Sequence, residues 1–477
     1  MPKIIIIGAG PGGYAAAFKA ARAGAFVTLV DKSDMGGTCL NNGCIPTKTI
    51  KASADALKLA RRLDQFGIVP AGFHPFDAGT AFFNVDMPSV QVRKENVRKT
   101  LCAGLEKTCV ALKVRLVRGQ AELQAGGSVL VHTASGIEII HGDAIILANG
   151  SKTLDLPSLP VDHTWIFNSD DALDLHTIPR RMLIVGGGVI GCEFAFIYRA
   201  FGSDVTIVEG LDRLLPLPSV DVEISRLLQR EAKKCGLHVA LAQTVKSVTV
   251  SRRGVTCELG TSPFMKGITG PDISIEVDAV LVAVGRAPNC QGLNLSEAGV
   301  ATDATGWIVV DDRMRTSVDG IYAIGDTLGP SRIMLAHSAT AEGLCAVDNC
   351  LGNKIHMDYS VIPSAIFTSP EIGIVGLSEA QAKEQGRDVR SCLVQFREMG
   401  KAHAMGELPG FFKLVCEKGS GRILGVHIAG AHSTDIIAEA ALAIKNSLTV
   451  EDVANTIHAH PTLAEGMCEA AQAWLRV

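Results

Sequence analysis

One pattern occurs twice in this sequence and narrows its fold more than any other feature. A short apolar strand, Ile4-Ile5-Ile6-Ile7, runs into Gly8-Ala9-Gly10-Pro11-Gly12-Gly13, an alanine-rich helical stretch at 14–23, a second strand at 26–30, and Asp31, 18 residues after the last glycine. The same order returns as Met182-Leu183-Ile184-Val185, Gly186-Gly187-Gly188-Val189-Ile190-Gly191, a helical stretch at 192–201, a strand at 205–208, and Glu209. Such glycines let a strand-to-helix turn close and let backbone touch a pyrophosphate at the helix N-terminus, where free N–H groups and the dipole favour an anion. A glycine-rich turn alone often just packs a helix on a strand. Strand, helix and terminal acid together make a dinucleotide-binding unit, with the acid accepting from a ribose hydroxyl. Two units imply two nucleotides. Glu209 suits both hydroxyls of an NAD ribose and repels the extra phosphate of NADP. Gly210-Leu211-Asp212 bring no arginine cluster, Arg213 being the nearest, so the second site is expected to take NAD.

Two such units need more than one core, and 477 residues fit two to four domains. Lys plus Arg total 45 against 49 Asp plus Glu, with no basic run, which sets aside a phosphate-backbone grip on nucleic acid. The chain enters its first strand straight after Met1-Pro2-Lys3, leaving no room for a signal peptide, and no stretch nears the ~18 apolar residues of a membrane span. A soluble, cytoplasmic protein is expected. Between the repeats, 40–110 reads as mostly helical, and short β runs appear at 129–132, 137–140 and 144–147, the last leading into Ala148-Asn149-Gly150-Ser151. Leu156-Pro157-Ser158-Leu159-Pro160 marks a boundary, and the second unit should close near 280–284, before Gly285. The strand Ile321-Tyr322-Ala323-Ile324-Gly325-Asp326 ends in a carboxylate that reads either as an ordinary turn or as an acceptor for a cofactor hydroxyl. From about 355 strands mix with helices at 434–447 and 450–457, without a fingerprint, so this last unit has a different task.

The most informative chemistry lies in Gly36-Gly37-Thr38-Cys39-Leu40-Asn41-Asn42-Gly43-Cys44-Ile45-Pro46-Thr47-Lys48. Thirteen cysteines, mostly without framework spacing, fit a compartment where thiols stay reduced, so any disulfide here is expected to be catalytic. Cys345 and Cys350 serve as an internal control. Five apart on a straight helix, two residues lie roughly 8.6 Å from each other, beyond the ~7 Å reach of a disulfide. The glycines and asparagines around Cys39 and Cys44 permit the bends that bring two sulfurs together. Pro46 suits the first turn of a following helix, which puts Cys44 at or near its N-terminus, where the dipole favours a thiolate. Cys39, farther upstream in the loop, is expected to be the sulfur that meets an outside substrate. Zinc is the weaker reading, since the block has two thiols and no histidine.

Near the far end stands Thr456-Ile457-His458-Ala459-His460-Pro461-Thr462-Leu463-Ala464-Glu465. A histidine is more often a plain surface or packed residue, but a redox dithiol needs a group that takes a proton from an incoming thiol and returns it. Glu465 could orient His460. His458 is the rival for that role.

Taken together, these residues resemble the flavin-dependent disulfide oxidoreductases, in the branch that oxidises dihydrolipoamide with NAD. The resemblance runs end to end, through Gly8–Gly13, Gly36–Lys48, Gly186–Glu193, Glu209, Gly285–Asn289, Ile321–Asp326, Met334–His337 and His458–Glu465. The cysteine block and the His460-Pro461-Thr462 block are its specific parts. It implies an α/β fold with two Rossmann-like dinucleotide-binding domains and a C-terminal α+β dimerisation domain. The expected divisions are an FAD-binding domain at 1–152, an NAD-binding domain at 153–282, a central domain completing the FAD site at 283–352, and a dimerisation domain at 353–477. FAD contacts are implied for Gly8, Gly10, Gly13, Asp31, Gly37, Thr38, Lys48, Ala121, Gly150, Ser151, Asp326, Met334, Leu335, Ala336 and His337. NAD contacts are implied for Gly186, Gly188, Val189, Ile190, Gly191, Glu209, Val245 and Gly285, and Glu193 would pair with Lys48 near the flavin. The partners implied are a second copy of the chain and the lipoyl-bearing subunit of a 2-oxo acid dehydrogenase complex or the glycine cleavage system.

The implied chemistry starts from an oxidised Cys39–Cys44 pair. His460 of the opposite subunit, held by Glu465, deprotonates a dihydrolipoamide thiol that attacks Cys39, and the second lipoyl thiol releases lipoamide; electrons then pass by way of FAD to NAD. Two positions depart from the family's usual pattern: Asn42, where an apolar residue is common, and Asn149, where Thr is usual. Neither removes a reacting group. A glutathione-reductase-like enzyme would want arginines after the second fingerprint, and a mercuric reductase would want a C-terminal cysteine pair, whereas this chain ends Ala473-Trp474-Leu475-Arg476-Val477. A non-catalytic redox-sensing or assembly subunit is the reading from a different class.

Overall fold

The computed structural model describes residues 1–69, 83–124, 126–265, 267 and 272–476, so the part of the expected helical region at 70–82 lies outside it. The chain forms two compact units. One joins Met1–Ile50, Asp86–Leu154 and Gly285–Asp358; the other joins Asp155–Val284 and Tyr359–Val477 with the described part of Lys51–Val85.

In the first unit five parallel strands lie in the order Ile321–Ala323, Ala144–Leu147, Lys3–Ile7, Phe26–Asp31, Arg115–Arg118. Ile4 through Ile7 are buried, as a central parallel strand covered on both faces requires, which explains the unbroken isoleucine run. Registers are set by Ile4, opposite Val27 on one side and Ala144 on the other. The late segment reaches back into this sheet, since Ile321–Ala323 pairs with 145–147. An antiparallel sheet of Gln120–Gln124, Ser128–Thr133 and Gly136–His141 and a two-stranded ribbon of Ser151–Thr153 with Arg286–Pro288 complete the unit's strands.

The second unit repeats the scheme with the strand order His238–Leu241, Asp204–Glu209, Arg181–Val185, Ala279–Val282, Ile166–Phe167. Its antiparallel ribbon of Gln243–Ser251, Gly254–Thr261 and Ile273–Val277 packs an apolar cluster around Leu183, Cys257 and Val280. A separate antiparallel sheet, Ser364–Ile366, Ile372–Gly376, Ile423–Ala429, Phe411–Glu417 and Val389–Gln395, carries the last quarter of the chain. Phe396 stacks on Phe412 at 5.2 Å in its core, against helices Ser433–Lys445 and Glu465–Leu475.

Both fingerprint helices begin three residues before the sequence pattern suggested, at Pro11 and at Val189. The glycine turn itself is already helical by then, and proline at the first position has no N–H to lose. Close approach requires the last glycine of each turn: a Cβ on Gly13 would lie 1.8 Å from the Gly8 carbonyl oxygen, and one on Gly191 1.9 Å from that of Gly186. The helix expected at 450–457 is shorter, Val450–Ala454, opened by a reciprocal cap between Thr449 and Asp452. Cys345 and Cys350 both lie on the helix Ala336–Cys350 and both are free thiols. Among the described residues no helix is long and apolar enough to cross a membrane.

Candidate active site

At the first turn, Asp31 accepts the Ala9 N–H at 2.6 Å through one oxygen and the Ser33 N–H at 2.7 Å through the other. The helix Pro11–Arg22 begins at Gly10 with no side chain capping its N–H groups, and Ala336–Cys350 likewise begins at Leu335 uncapped. Some other helices are capped by a side chain, as Met87–Ala111 is by Asp86. Open helix starts beside a glycine cradle fit a phosphate-bearing cofactor, whose oxygens satisfy the free donors. Met334, Leu335, Ala336 and His337 fall at the second of these starts.

Ser151 and Asp326, 175 positions apart, meet in the same unit: the Ser151 hydroxyl donates to Asp326 at 2.7 Å and accepts from the Arg286 guanidinium at 2.5 Å. Arg286 also donates to the Ser151 carbonyl at 2.9 Å. In the sequence Arg286 reads only as part of the turn after Gly285; in the structure it opens the strand Arg286–Pro288. Glu342 was missed outright. Buried in its helix, it accepts the Gly325 N–H at 2.6 Å and so fixes the turn that presents Asp326. Asn149 forms a reciprocal pair with Asn289, each side-chain amide donating at 2.9 Å to the other's carbonyl. Gly150 has open space around its α-carbon, and Ala121 is buried in its strand opposite Val131.

Cys39 lies in a five-residue helix, Gly37–Asn41, and Cys44 is the first residue of the helix Cys44–Ala60. The short helix packs on the first turn, since a Cβ on Gly37 would stand 2.6 Å from the Gly10 α-carbon. Thr38 is exposed, and its carbonyl accepts the Asn42 N–H at 2.8 Å, bending the chain back toward Gly43. Both sulfurs are thiols, hydrogen-bonded to each other; that bond, then burial and the neighbouring sulfur's charge, push Cys39 well above the ordinary thiol range, against the pull of Lys48. Cys44 is exposed and Cys39 half-buried, so the expected role of Cys39 as the sulfur that meets the substrate rests on its place in the loop and not on exposure.

In the second unit Glu209 repeats the clasp of Asp31, accepting the Gly187 N–H at 2.6 Å and the Leu211 N–H at 2.8 Å. Val189 and Ile190 open the helix Val189–Phe201, which starts uncapped at Gly188. Arg213, the residue that kept NADP in play, donates to the carbonyls of Val220 at 3.1 Å and Leu217 at 3.0 Å, so its guanidinium is already engaged within its own loop. Val245 is half-buried opposite Leu259. Gly285 belongs to the first unit, where its carbonyl accepts the Leu154 N–H. Glu193 is buried and accepts the Phe367 N–H at 2.9 Å.

The two histidines separate cleanly. His458 is almost buried, with Nε2 on Glu439 at 2.8 Å and Nδ1 on the Thr456 carbonyl at 2.9 Å. Burial lowers its pKa, but Glu439 and the Thr456 carbonyl outweigh that and leave it raised. His460 is 78% exposed and uses only Nδ1, on Glu465 at 2.8 Å, which leaves Nε2 without a partner among the described residues. The Thr462 N–H and then His460 hold the Glu465 carboxyl below the usual range, so it stays an acceptor.

Residues 2–343 match the family model for pyridine nucleotide-disulphide oxidoreductases, and 362–471 match the dimerisation domain of the same family. A dihydrolipoyl dehydrogenase of Chlamydia muridarum is 39% identical over 98% of this chain and 95% of its own, and one of Bacillus subtilis 38% over 98% and 97%. Among solved structures, LpdA of Mycobacterium tuberculosis superposes with a TM-score of 0.89 at 26% identity, over 99% of this chain and all of that one. RclA of Escherichia coli, an HOCl-induced flavoprotein disulfide reductase, gives 0.84 at 27% identity over 98% and 99%. With two dinucleotide turns, a vicinal dithiol and a dimerisation domain in one chain, this protein belongs to the pyridine nucleotide-disulphide oxidoreductase family, whose cofactors are FAD and NAD.

Proposed function

We propose that the chain oxidises protein-bound dihydrolipoamide to lipoamide, with NAD as final acceptor. The observation that carries this is the Cys39–Cys44 thiol pair, in hydrogen-bond contact at a helix start directly behind the first nucleotide turn. FAD and NAD supply the two-electron acceptor; the chain's residues manage sulfur and proton. His460 Nε2 takes the proton of the first lipoyl thiol while Glu465 fixes the ring through Nδ1. The resulting thiolate attacks Cys39 Sγ of the oxidised pair, the S–S bond breaks, and Cys44 leaves as thiolate. The second lipoyl thiol then displaces Cys39, forming the lipoamide disulfide and leaving two reduced sulfurs. In a homodimer, the partner subunit's His460 would face this pair. The divisions at 152, 282 and 352 would separate the FAD, NAD, central and dimerisation parts. The partner is the lipoyl-bearing subunit of a 2-oxo acid dehydrogenase complex or of the glycine cleavage system, and its site of action the cytoplasm.

Purified holoprotein mixed with dihydrolipoamide and NAD should produce NADH absorbance; turnover only with glutathione and NADP would overturn the reading. His460→Gln should slow that reaction about a hundredfold, yet leave NADH oxidation by ferricyanide, which bypasses the sulfurs, nearly intact. Equal slowing of both would remove its role as base.

A further inference from the structure

The helix that carries Cys39 is five residues long and starts at Gly36 without a side-chain cap. A helix that short does not hold itself in water, so something outside it must fix the sulfur. Two residues beyond Cys39, the Asn41 amide donates to three carbonyls: Asp34 at 3.3 Å, Met35 at 3.2 Å and Gly37 at 3.1 Å. These tie the last residue of the helix to the strand exit and to the helix's own first residue. The Asn41 carbonyl oxygen in turn accepts from the Arg98 guanidinium at 2.9 Å. Arg98 also holds the Asp34 carboxylate at 3.0 Å and is itself oriented by Glu95 at 2.7 Å. Cys102, buried one turn along, sends its thiol to the Met35 carbonyl at 3.2 Å and stands 3.5 Å from the Asn41 oxygen. Glu95, Arg98 and Cys102 are spaced three and four apart on the helix Met87–Ala111, hence on one face of it.

We infer that Asn41 and Arg98 are positioning residues for the Cys39 sulfur: a strut from a 25-residue helix that fixes a turn too short to fix itself. Thiol-disulfide exchange depends on which sulfur is attacked and on access to it, so a small displacement of this turn disturbs sulfur chemistry before it disturbs cofactor binding. The inference rests on the reading that Cys39 is the sulfur attacked by dihydrolipoamide.

The test uses the FAD-loaded protein with Asn41→Ala and Arg98→Met. Dihydrolipoamide-driven NAD reduction should fall about tenfold through kcat, with KM for NAD unchanged, while ferricyanide reduction by NADH and the FAD content stay within about twofold. Cys102→Ser, nearly the same size, should cost about threefold at most. A parallel fall of both activities with loss of FAD would mean that the strut holds the domain and not the sulfur, and unchanged kinetics in both variants would overturn it as well. A readout free of lipoamide separates the two proposals. Alkylation of Cys39 in the dithiothreitol-reduced holoprotein, followed by peptide mass spectrometry, should change at least about threefold in Asn41→Ala. Should wild type prove inert to dihydrolipoamide, the assigned activity fails while this rate still reports on the strut; an unaltered rate sinks the strut alone.

Discussion

At the first fingerprint Asp31 clasps the Ala9 N–H at 2.6 Å, and at the second Glu209 clasps the Gly187 N–H at 2.6 Å. Gly13 rides on the Gly8 carbonyl as Gly191 rides on that of Gly186. The surroundings differ. The first turn is covered by the dithiol segment, with Gly37 against Gly10, and its sheet is completed by the strand before Asp326. The second turn keeps open space at Gly188, while the chain beyond Glu209 touches only its neighbour Gly187, through Leu214 and through the Leu215 N–H, which donates to the Gly187 carbonyl at 2.8 Å. Identical local chemistry thus makes two turns, and the segment that follows each one sets how enclosed its nucleotide is. An enclosed site suits a cofactor that stays bound; an open one suits a nucleotide that arrives oxidised and leaves reduced.

The sharpest way to break this comparison is to fill each turn. Gly13→Val should abolish FAD retention, read as the flavin-to-protein absorbance ratio after purification. Gly191→Val should leave that ratio intact and raise KM for NAD by about thirtyfold or more, a loss of about 2 kcal/mol in binding. Flavin loss in both variants would mean that the turns are not independent.

A second test concerns a charge cluster within the second unit. Lys413, 3% exposed, meets Asp221 at 3.2 Å, Glu223 at 3.1 Å and Glu379 at 3.0 Å, beside the fully buried His427. Removing the cation leaves the buried Asp221 carboxylate without its lysine, so Lys413→Met should lower stability by about 3 kcal/mol in a denaturant titration. Burial raises Glu379, but Lys383, Ser391 and Lys413 outweigh it and bring it to about 2. With its pKa lowered on folding, Glu379 contributes stability that is full above the unfolded value near 4.5 and is lost as pH falls toward about 2. Wild type should therefore lose stability across that window, and Lys413→Met should show a shallower acid slope.

Smaller effects refine the comparison. Glu209→Gln should lower kcat/KM for NAD about tenfold and narrow the preference over NADP, with FAD content unchanged. Arg286→Lys gives up a forked donor to Ser151, and should weaken FAD retention about threefold in a dialysis series without touching KM for NAD.

Much of the site was legible in the sequence because its parts are contiguous. A turn that needs glycine, a proline at a helix start and two cysteines between bends are backbone statements, and each stands where its residues predict. What could not be read is which distant group meets which. His458 and His460 are two positions apart and look alike in sequence; only the placement of Glu439, on another helix, ties one down and leaves the other exposed. Cys44's greater exposure, Glu342 beneath the Asp326 turn and the Asn41–Arg98 strut escaped for the same reason.

By itself, then, the sequence determined two dinucleotide-binding units, a thiol pair at a helix start and a final unit without a fingerprint, since short-range sterics and hydrogen bonding dictate all three. The tertiary structure alone decided which histidine is available, how Ser151, Arg286 and Asp326 converge, and which charges surround Lys413. Those outcomes rest on side chains brought together from separate elements, 19 positions apart for His458 and Glu439 and 175 for Ser151 and Asp326, where no local pattern carries the information.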